Sequence, residues 1–168
     1  MNVEHEKKWM VVYTRSKWEK RSHYLLGMQG IESFCPLIST RRKWADRVKI
    51  VTLPLFNSYL FVHITAKQKL QVLETGGVVN FVNYCQQPAI VPAADIARIR
   101  TVIDEYDGVE LLSIKQLITG QQVKFKDGIF FDLTGEVLEV QGKSILVMLK
   151  QLDCALVAKV KVNINDFS

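Results

Sequence analysis

Cysteine is scarce in this chain: Cys35, Cys85 and Cys154 are the only three, odd in number and far apart. Such usage fits a reducing cytoplasm, with neither a disulfide framework nor a zinc-ligand spacing. Long hydrophobic runs are missing too. No apolar stretch approaches the ~20 residues that span a bilayer, so no membrane contact is expected. The charged opening Met1-Asn2-Val3-Glu4-His5-Glu6-Lys7-Lys8 lacks the hydrophobic region of a signal peptide. No glycine-rich phosphate loop occurs, and His5, His23 and His63 form no signature with cysteines or carboxylates. No catalytic, cofactor-binding or metal-ligating residue is therefore expected. His63 reads as a strand residue and Cys35 as a small core residue. What is present is globular in composition, 48% apolar and 23% charged, over 168 residues that hold one ordinary domain or two small ones.

The charge is unevenly distributed. Residues 1–106 carry 15 Lys/Arg against 9 Asp/Glu, or +6, whereas residues 107–168 carry 7 against 8, or −1, together the +5 of the whole. A basic, nucleic-acid-facing N-terminal region followed by a nearly neutral module is the organisation this split suggests.

The stretch Pro54-Leu55-Phe56-Asn57-Ser58-Tyr59-Leu60-Phe61-Val62-His63-Ile64 predicts a turn feeding a strand. Alternation puts Leu60, Val62 and Ile64 on one face, an ordinary core face, and Tyr59, Phe61 and His63 on the other. An aromatic face tipped with polar groups suits partner docking, and a strand buried on both faces is the competing reading. Before it, Trp9–Thr14 reads as a strand and Lys17–Met28 as a helix capped by Ser16, with Glu19 in an imperfect capping box. Lys17, Lys20, Arg21 and Tyr24 fall at i, i+3, i+4 and i+7, a basic stripe that Arg15 extends. A solvated helix face is the plain alternative to phosphate contact. A strand over Glu32–Ser39, interrupted by Pro36, leads to Thr40–Lys49, a hairpin tip dense in cations around Trp44. Arg41, Arg42 and Lys43 there could hold phosphates while Trp44 stacks on an unpaired base.

Further on, a short helix is expected over Ala66–Glu74, a strand over Val78–Val82 and a rigid extended link at Pro88–Pro92. A helix after Pro92 buries Ile96, Ile99, Ile103 and Tyr106. Residues 1–106 thus read as an α+β domain with a mostly antiparallel sheet flanked by helices. Residues 107–117 read as a linker. Residues 118–168 hold five short strands, with turns at Asp127-Gly128 and Gln141-Gly142-Lys143, and read as a small all-β, SH3-like barrel.

That arrangement resembles the NusG family of transcription elongation factors, an N-terminal domain followed by a KOW domain. Gly120–Val137, with its Asp-Gly turn, a packed Phe and Gly135, resembles the KOW motif. Pro54–Val62, Thr75-Gly76-Gly77-Val78-Val79-Asn80-Phe81-Val82 and Pro88-Ala89-Ile90-Val91-Pro92 follow in the family's order. The resemblance implies that residues 1–106 bind the clamp helices of RNA polymerase, with Tyr59 and Phe61 lining the docking surface and Phe56 and Phe81 beside them. It implies that Arg15, Lys17, Lys20 and Arg21 face upstream non-template DNA, or that the basic surface meets nascent RNA. It further implies that the KOW domain recruits another factor through Leu152, Asp153 and Cys154, and that the protein is a cytoplasmic monomer. Where the family commonly has Phe-Gly-Arg, this chain has Leu152-Asp153-Cys154, which argues against termination factor Rho and leaves a small-subunit ribosomal protein as partner. That departure and the Pro-Leu-Phe opening look closer to specialised RfaH and UpxY-type antiterminators of surface-polysaccharide operons than to a housekeeping NusG. The β-branched residues and glycine turns of 118–162 predict a stable barrel and no helical refolding. A ribosome-associated, KOW-type RNA-binding protein is the remaining alternative.

Overall fold

In the computed structural model, residues 5–113, 127–131, 143–149 and 154–160 are described. The chain forms two compact units, 1–94 and 95–168.

The first unit is built on β1 (Lys8–Thr14), a β-branched and aromatic run with buried residues on both faces. Helix α1 spans Glu19–Met28, two residues shorter at its start than the sequence suggested. Trp18, not Ser16, is the N-cap, and Lys17 takes the left-handed conformation (φ 65°). The cause lies in Trp18 and Glu19. The indole ring seats against Gly77, and the buried Glu19 carboxylate accepts a 2.6 Å bond from the Ser58 N–H instead of closing a capping box.

After α1 come β2 (Glu32–Phe34), β3 (Leu37–Trp44) and β4 (Arg47–Pro54). Pro36, which has no N–H to give to a ladder, separates β2 from β3, and its carbonyl accepts from the Leu55 N–H at 2.8 Å. The β3–β4 hairpin has a shorter tip than the expected Thr40–Lys49. Its strands stay paired through the cation-dense stretch to Trp44 opposite Arg47, leaving only Ala45 and Asp46 in the turn. Then follow β5 (Tyr59–Ile64), a 3₁₀ turn at Ala66–Gln68 with a Thr65/Gln68 capping box, α2 (Lys69–Leu73) and β6 (Val78–Phe81). A small hairpin of β7 (Asn83–Tyr84) and β8 (Gln87–Pro88) precedes β9 (Ile90–Val91).

The main sheet is antiparallel, in the order β2-β5-β1-β6, with β9 also on β1. Leu60, Val62 and Ile64 are fully buried with Met10, Val12, Phe81, Leu26 of α1 and Val72 of α2. Burial contributes about 1.5–3 kcal/mol for each such aliphatic side chain. The expected core face of β5 is therefore the core face, and the first unit is α+β as the sequence indicated.

Helix α3 (Ala93–Glu105) begins two residues before the second unit and supplies its first residues. Its buried stripe is Asp95, Ile96, Ile99 and Val102. Ile103 is half-buried, and Tyr106, expected on that stripe, lies beyond the helix. The segment expected as a linker supplies a strand instead. No proline or glycine run interrupts Val109-Glu110-Leu111-Leu112, and β10 (Tyr106–Ser113) pairs with β13 (Cys154–Val160). With β11 (Asp127–Phe131) and β12 (Lys143–Leu149) they form a sheet in the order β10-β13-β12-β11. The β11–β12 pair is parallel and the others antiparallel. Asp127 and Gly128, expected as a turn, open β11. The expected barrel rests largely on residues 114–126, 132–142, 150–153 and 161–168, which lie outside the described residues, as do Leu152 and Asp153. Cys154 is the first residue of β13, opposite Leu149 and Ser113.

Candidate functional site

The face of the main sheet opposite the core is aromatic because odd positions of β1 and β5 stand directly across from one another. The register pairs Trp9 with His63, Val11 with Phe61 and Tyr13 with Tyr59. On β2, Glu32 lies beside His63 and Phe34 beside Phe61. Three cross-strand rows result. In the first, the His63 ring stacks on Trp9 (centroids 4.8 Å, 12°) and its Nδ1 bonds the Glu32 carboxylate at 2.6 Å. In the middle row Phe61 is fully buried, packed edge-to-face against Phe56 (5.2 Å) and beside Phe34 (6.0 Å). In the third, Tyr13 and Tyr59 meet at 5.0 Å. Such aromatic pairs contribute about 0.5–1.5 kcal/mol beyond their buried area.

Of the four aromatics expected to line a docking surface, only Tyr59 is solvent-accessible, half-buried. Phe61 and Phe56 are buried at 0% and 2% exposure, because β5 is a central strand and Phe34 and Phe56 close over its middle position. Phe81 is on the other side of the sheet. Pairing with Val12 puts it in the core. The structure adds to this face two residues the sequence reading did not single out, Tyr13, 40% exposed beside Tyr59, and the buried Trp9. Their signal was present in the alternation of β1, whose odd positions are all aromatic except Val11.

The basic residues fall into two groups. Arg15 and Lys17 lie on the exposed β1–α1 loop, which the Arg15 N–H ties to the Gly77 carbonyl at 2.8 Å. On α1 the expected stripe shortens to Lys20, Arg21 and Tyr24, since Lys17 is outside the helix. Arg21 lies over the Trp18 ring at 4.7 Å, and Lys20 Nζ donates to the Thr52 carbonyl of β4 at 2.6 Å. The second group is the β3–β4 ribbon. Arg41, Arg42, Lys43 and Trp44 are exposed as expected, and the register adds Lys49 across from Arg42 and Arg47 across from Trp44.

Two further titratable side chains, His23 and Cys35, lie in structural settings. His23 shares a 2.7 Å hydrogen bond with Ser33, and partial burial lowers its pKa. Burial pushes the Cys35 thiol up to about 11, helped by the nearby Glu19 carboxylate, so it is not an activated nucleophile. Among the described residues no group of three or more His, Cys, Asp or Glu could hold a metal ion, and no helix is long and apolar enough to cross a membrane.

A protein-family model described as "Transcription termination factor nusG" matches residues 7–100, more than half of the chain. A solved structure of NusG from Thermotoga maritima, concerned with domain interaction, is 19% identical over 78% of this chain and 68% of that one, with a TM-score of 0.39. The matched span contains the aromatic face and both basic groups, and this chain belongs to the NusG family.

Proposed function

We propose that this protein is a specialised, non-enzymatic elongation factor of the RfaH/UpxY type, which binds RNA polymerase and suppresses pausing or termination at particular operons. The family binds RNA polymerase in general. The observation that carries the docking site is the Tyr13–Tyr59 pair, two rings at the surface held over the buried Phe56–Phe61–Phe34 cluster. Rigid aromatics with a polar tip are the side chains that dominate protein interfaces. In this reading Tyr13 and Tyr59 meet the polymerase clamp helices, while Phe61 and Phe56 hold that surface from beneath. Arg15, Lys17, Lys20, Arg21 and the β3–β4 ribbon face nucleic acid, non-template DNA or nascent RNA. Residues 118–168, as a KOW domain, recruit a further factor through Leu152, Asp153 and Cys154, a small-subunit ribosomal protein rather than Rho.

The test is recovery of the source organism's RNA polymerase by the full chain beside a Tyr13→Ala/Tyr59→Ala variant. Truncating a central aromatic anchor costs about 2 kcal/mol or more. Two such losses weaken a micromolar complex about a thousandfold, below recovery. Because both rings are at the surface, the variant keeps its native tryptophan emission. Equal recovery by the two proteins would remove the aromatic face from the docking site. No recovery by either would favour the ribosome-associated reading.

A further inference from the structure

All ten residues from Arg41 to Ile50 are exposed, so neither face of the outer β3–β4 ribbon is covered by the first unit. Residues directly paired across an antiparallel ladder share a face, and successive pairs alternate. One face therefore carries Arg41 with Ile50 and Lys43 with Val48. The other carries Arg42 with Lys49 and Trp44 with Arg47. Both faces are cationic. The single acid, Asp46, is in the turn.

A ribbon that tracks one strand of nucleic acid, or lies flat on a surface, needs positive charge on one face only. Charge on both faces suits a cleft with phosphates on both walls. Dimensions choose among such clefts. With side chains a two-stranded ribbon is ~10 Å thick, which fits the ~12 Å major groove of B-form DNA and not its ~6 Å minor groove. The major groove of duplex RNA is deep and too narrow for side chains to read. From Arg41 and Ile50 to the turn the ribbon extends ~15 Å at ~3.4 Å per residue, beyond the ~8.5 Å groove depth, so its tip reaches the floor. Lys20 and Thr52 brace its base at 2.6 Å.

We propose that the β3–β4 ribbon inserts end-on into the major groove of double-stranded DNA. Arg41 and Lys43 meet the phosphates of one wall, and Arg42 and Lys49 those of the other. Arg47 and Trp44 lie at the floor, where a guanidinium can bond a guanine edge and Asp46 can accept from a cytosine amino group. This rests on the nucleic-acid role proposed above for the ribbon and specifies its substrate as duplex DNA.

Fluorescence anisotropy of the full chain would use three labelled probes: a mixed-sequence DNA duplex, one of its strands alone, and an RNA duplex of the same sequence. The DNA duplex is expected to bind most tightly. Arg41→Ser/Lys43→Ser and Arg42→Ser/Lys49→Ser should each lower the slope of log K against log salt by about 2, one unit for each phosphate left without its cation. A slope change from only one of the two variants would mean that the ribbon uses one face, and the groove proposal would fail. A single strand bound as tightly as the duplex, with Trp44→Ala as the most costly change, would replace it with base stacking. Equal binding of duplex RNA, or no ribbon-dependent binding of any probe, would also overturn it. Polymerase recovery by the ribbon variants reads the docking face separately, so the two failures are distinguishable.

Discussion

Gly77 provides the most discriminating test of the packing that positions the two proposed surfaces. Its φ is +87°, and an added Cβ would lie 2.4 Å from Ser22 Oγ and 2.5 Å from Trp18 Cε3. Two costs follow for Gly77→Ala. Left-handed backbone at a non-glycine residue costs about 1–2 kcal/mol, and overpacking against two partly or fully buried groups costs about 1–3 kcal/mol more. Ser22 has little room to give, being fully buried and bonded to the Gly76 carbonyl at 2.9 Å. The sum is about 2–5 kcal/mol. Two controls separate the terms. Gly30 has φ +71° with nothing within 4 Å of an added Cβ, so Gly30→Ala should cost the backbone part alone. Gly27 lies within α1 in open space, and Gly27→Ala should stabilise by about 0.5–1 kcal/mol. Urea unfolding followed by tryptophan emission is the assay, because Trp9, Trp18 and Trp44, the only three, all lie in residues 1–94. With m of about 1.5 kcal/mol/M, a loss of about 3 kcal/mol moves the midpoint down by about 2 M. If Gly77→Ala moves it no further than Gly30→Ala, the seating of Trp18 against Gly77 is not a constraint and does not explain why α1 starts late.

Glu19→Ala should cost about 1.5–3 kcal/mol in the same assay, because it removes a charge-assisted acceptor and leaves the Ser58 N–H unpaired; a loss below about 0.5 kcal/mol, of the order of a surface change, would show that water replaces it. Cys35, with its thiol pushed up to about 11, carries only about a thousandth of its population as thiolate at pH 8. Peptide mass spectrometry should find it unalkylated in the native protein and alkylated after unfolding, with exposed Cys85 reacting in both. Asp95 is almost fully buried, its Oδ2 has no hydrogen-bond partner, and burial raises its pKa against the pull of Arg98. The folded state then holds the proton more tightly than the unfolded state. Stability falls as pH rises from the unfolded value of 3.8 through the folded one. Asp95→Asn should accordingly raise the melting temperature at pH 7, with the gain shrinking as pH approaches 4. A gain that stays constant with pH would exclude ionisation as its cause.

The legible parts of the first unit were those governed by local periodicity. Alternation in Tyr59–Ile64 identifies the core face, and Pro36 and Pro92 punctuate the elements where the chain does break. The errors came from partners distant in sequence. Ser16 and Glu19 have the pattern of a helix start, yet Glu19 is taken by Ser58, 39 residues away. Phe61 shares its strand face with Tyr59, but whether that face is open depended on Phe34 and Phe56 closing over its middle, which no single strand reveals. Phe81 was assigned to the aromatic face by family position, whereas the β1–β6 register puts it opposite Val12 in the core. The hairpin tip around Trp44 is shorter than the sequence suggests, because its charge obscures the alternation that a paired ribbon keeps. In each case the residue types were read correctly and the neighbour was the missing term.

Those distant partners converge on one turn of α1, which joins the two proposed surfaces. Glu19 accepts the N–H of Ser58, the residue before Tyr59, and Thr14, next to Tyr13, donates its own N–H to the Ser58 carbonyl at 2.8 Å. Ser58 is thus held from both sides in a left-handed conformation (φ 62°), and the tyrosine pair is fixed with it. The next residue, Lys20, reaches the opposite way to the Thr52 carbonyl at the foot of the β3–β4 ribbon. Adjacent helical side chains diverge by about 100°, as about 3.6 residues per turn requires, so one carboxylate and one ammonium can brace two different elements. A helix start with no side-chain cap of its own is the consequence, since its acidic residue is committed to the Ser58 N–H. The arrangement predicts coupling in one direction. Glu19→Ala should weaken polymerase recovery as well as stability, whereas Lys20→Met should leave polymerase recovery intact and loosen only the nucleic-acid contacts of the ribbon. Loss of polymerase recovery in a folded Lys20→Met protein would mean that the two surfaces are not independently braced.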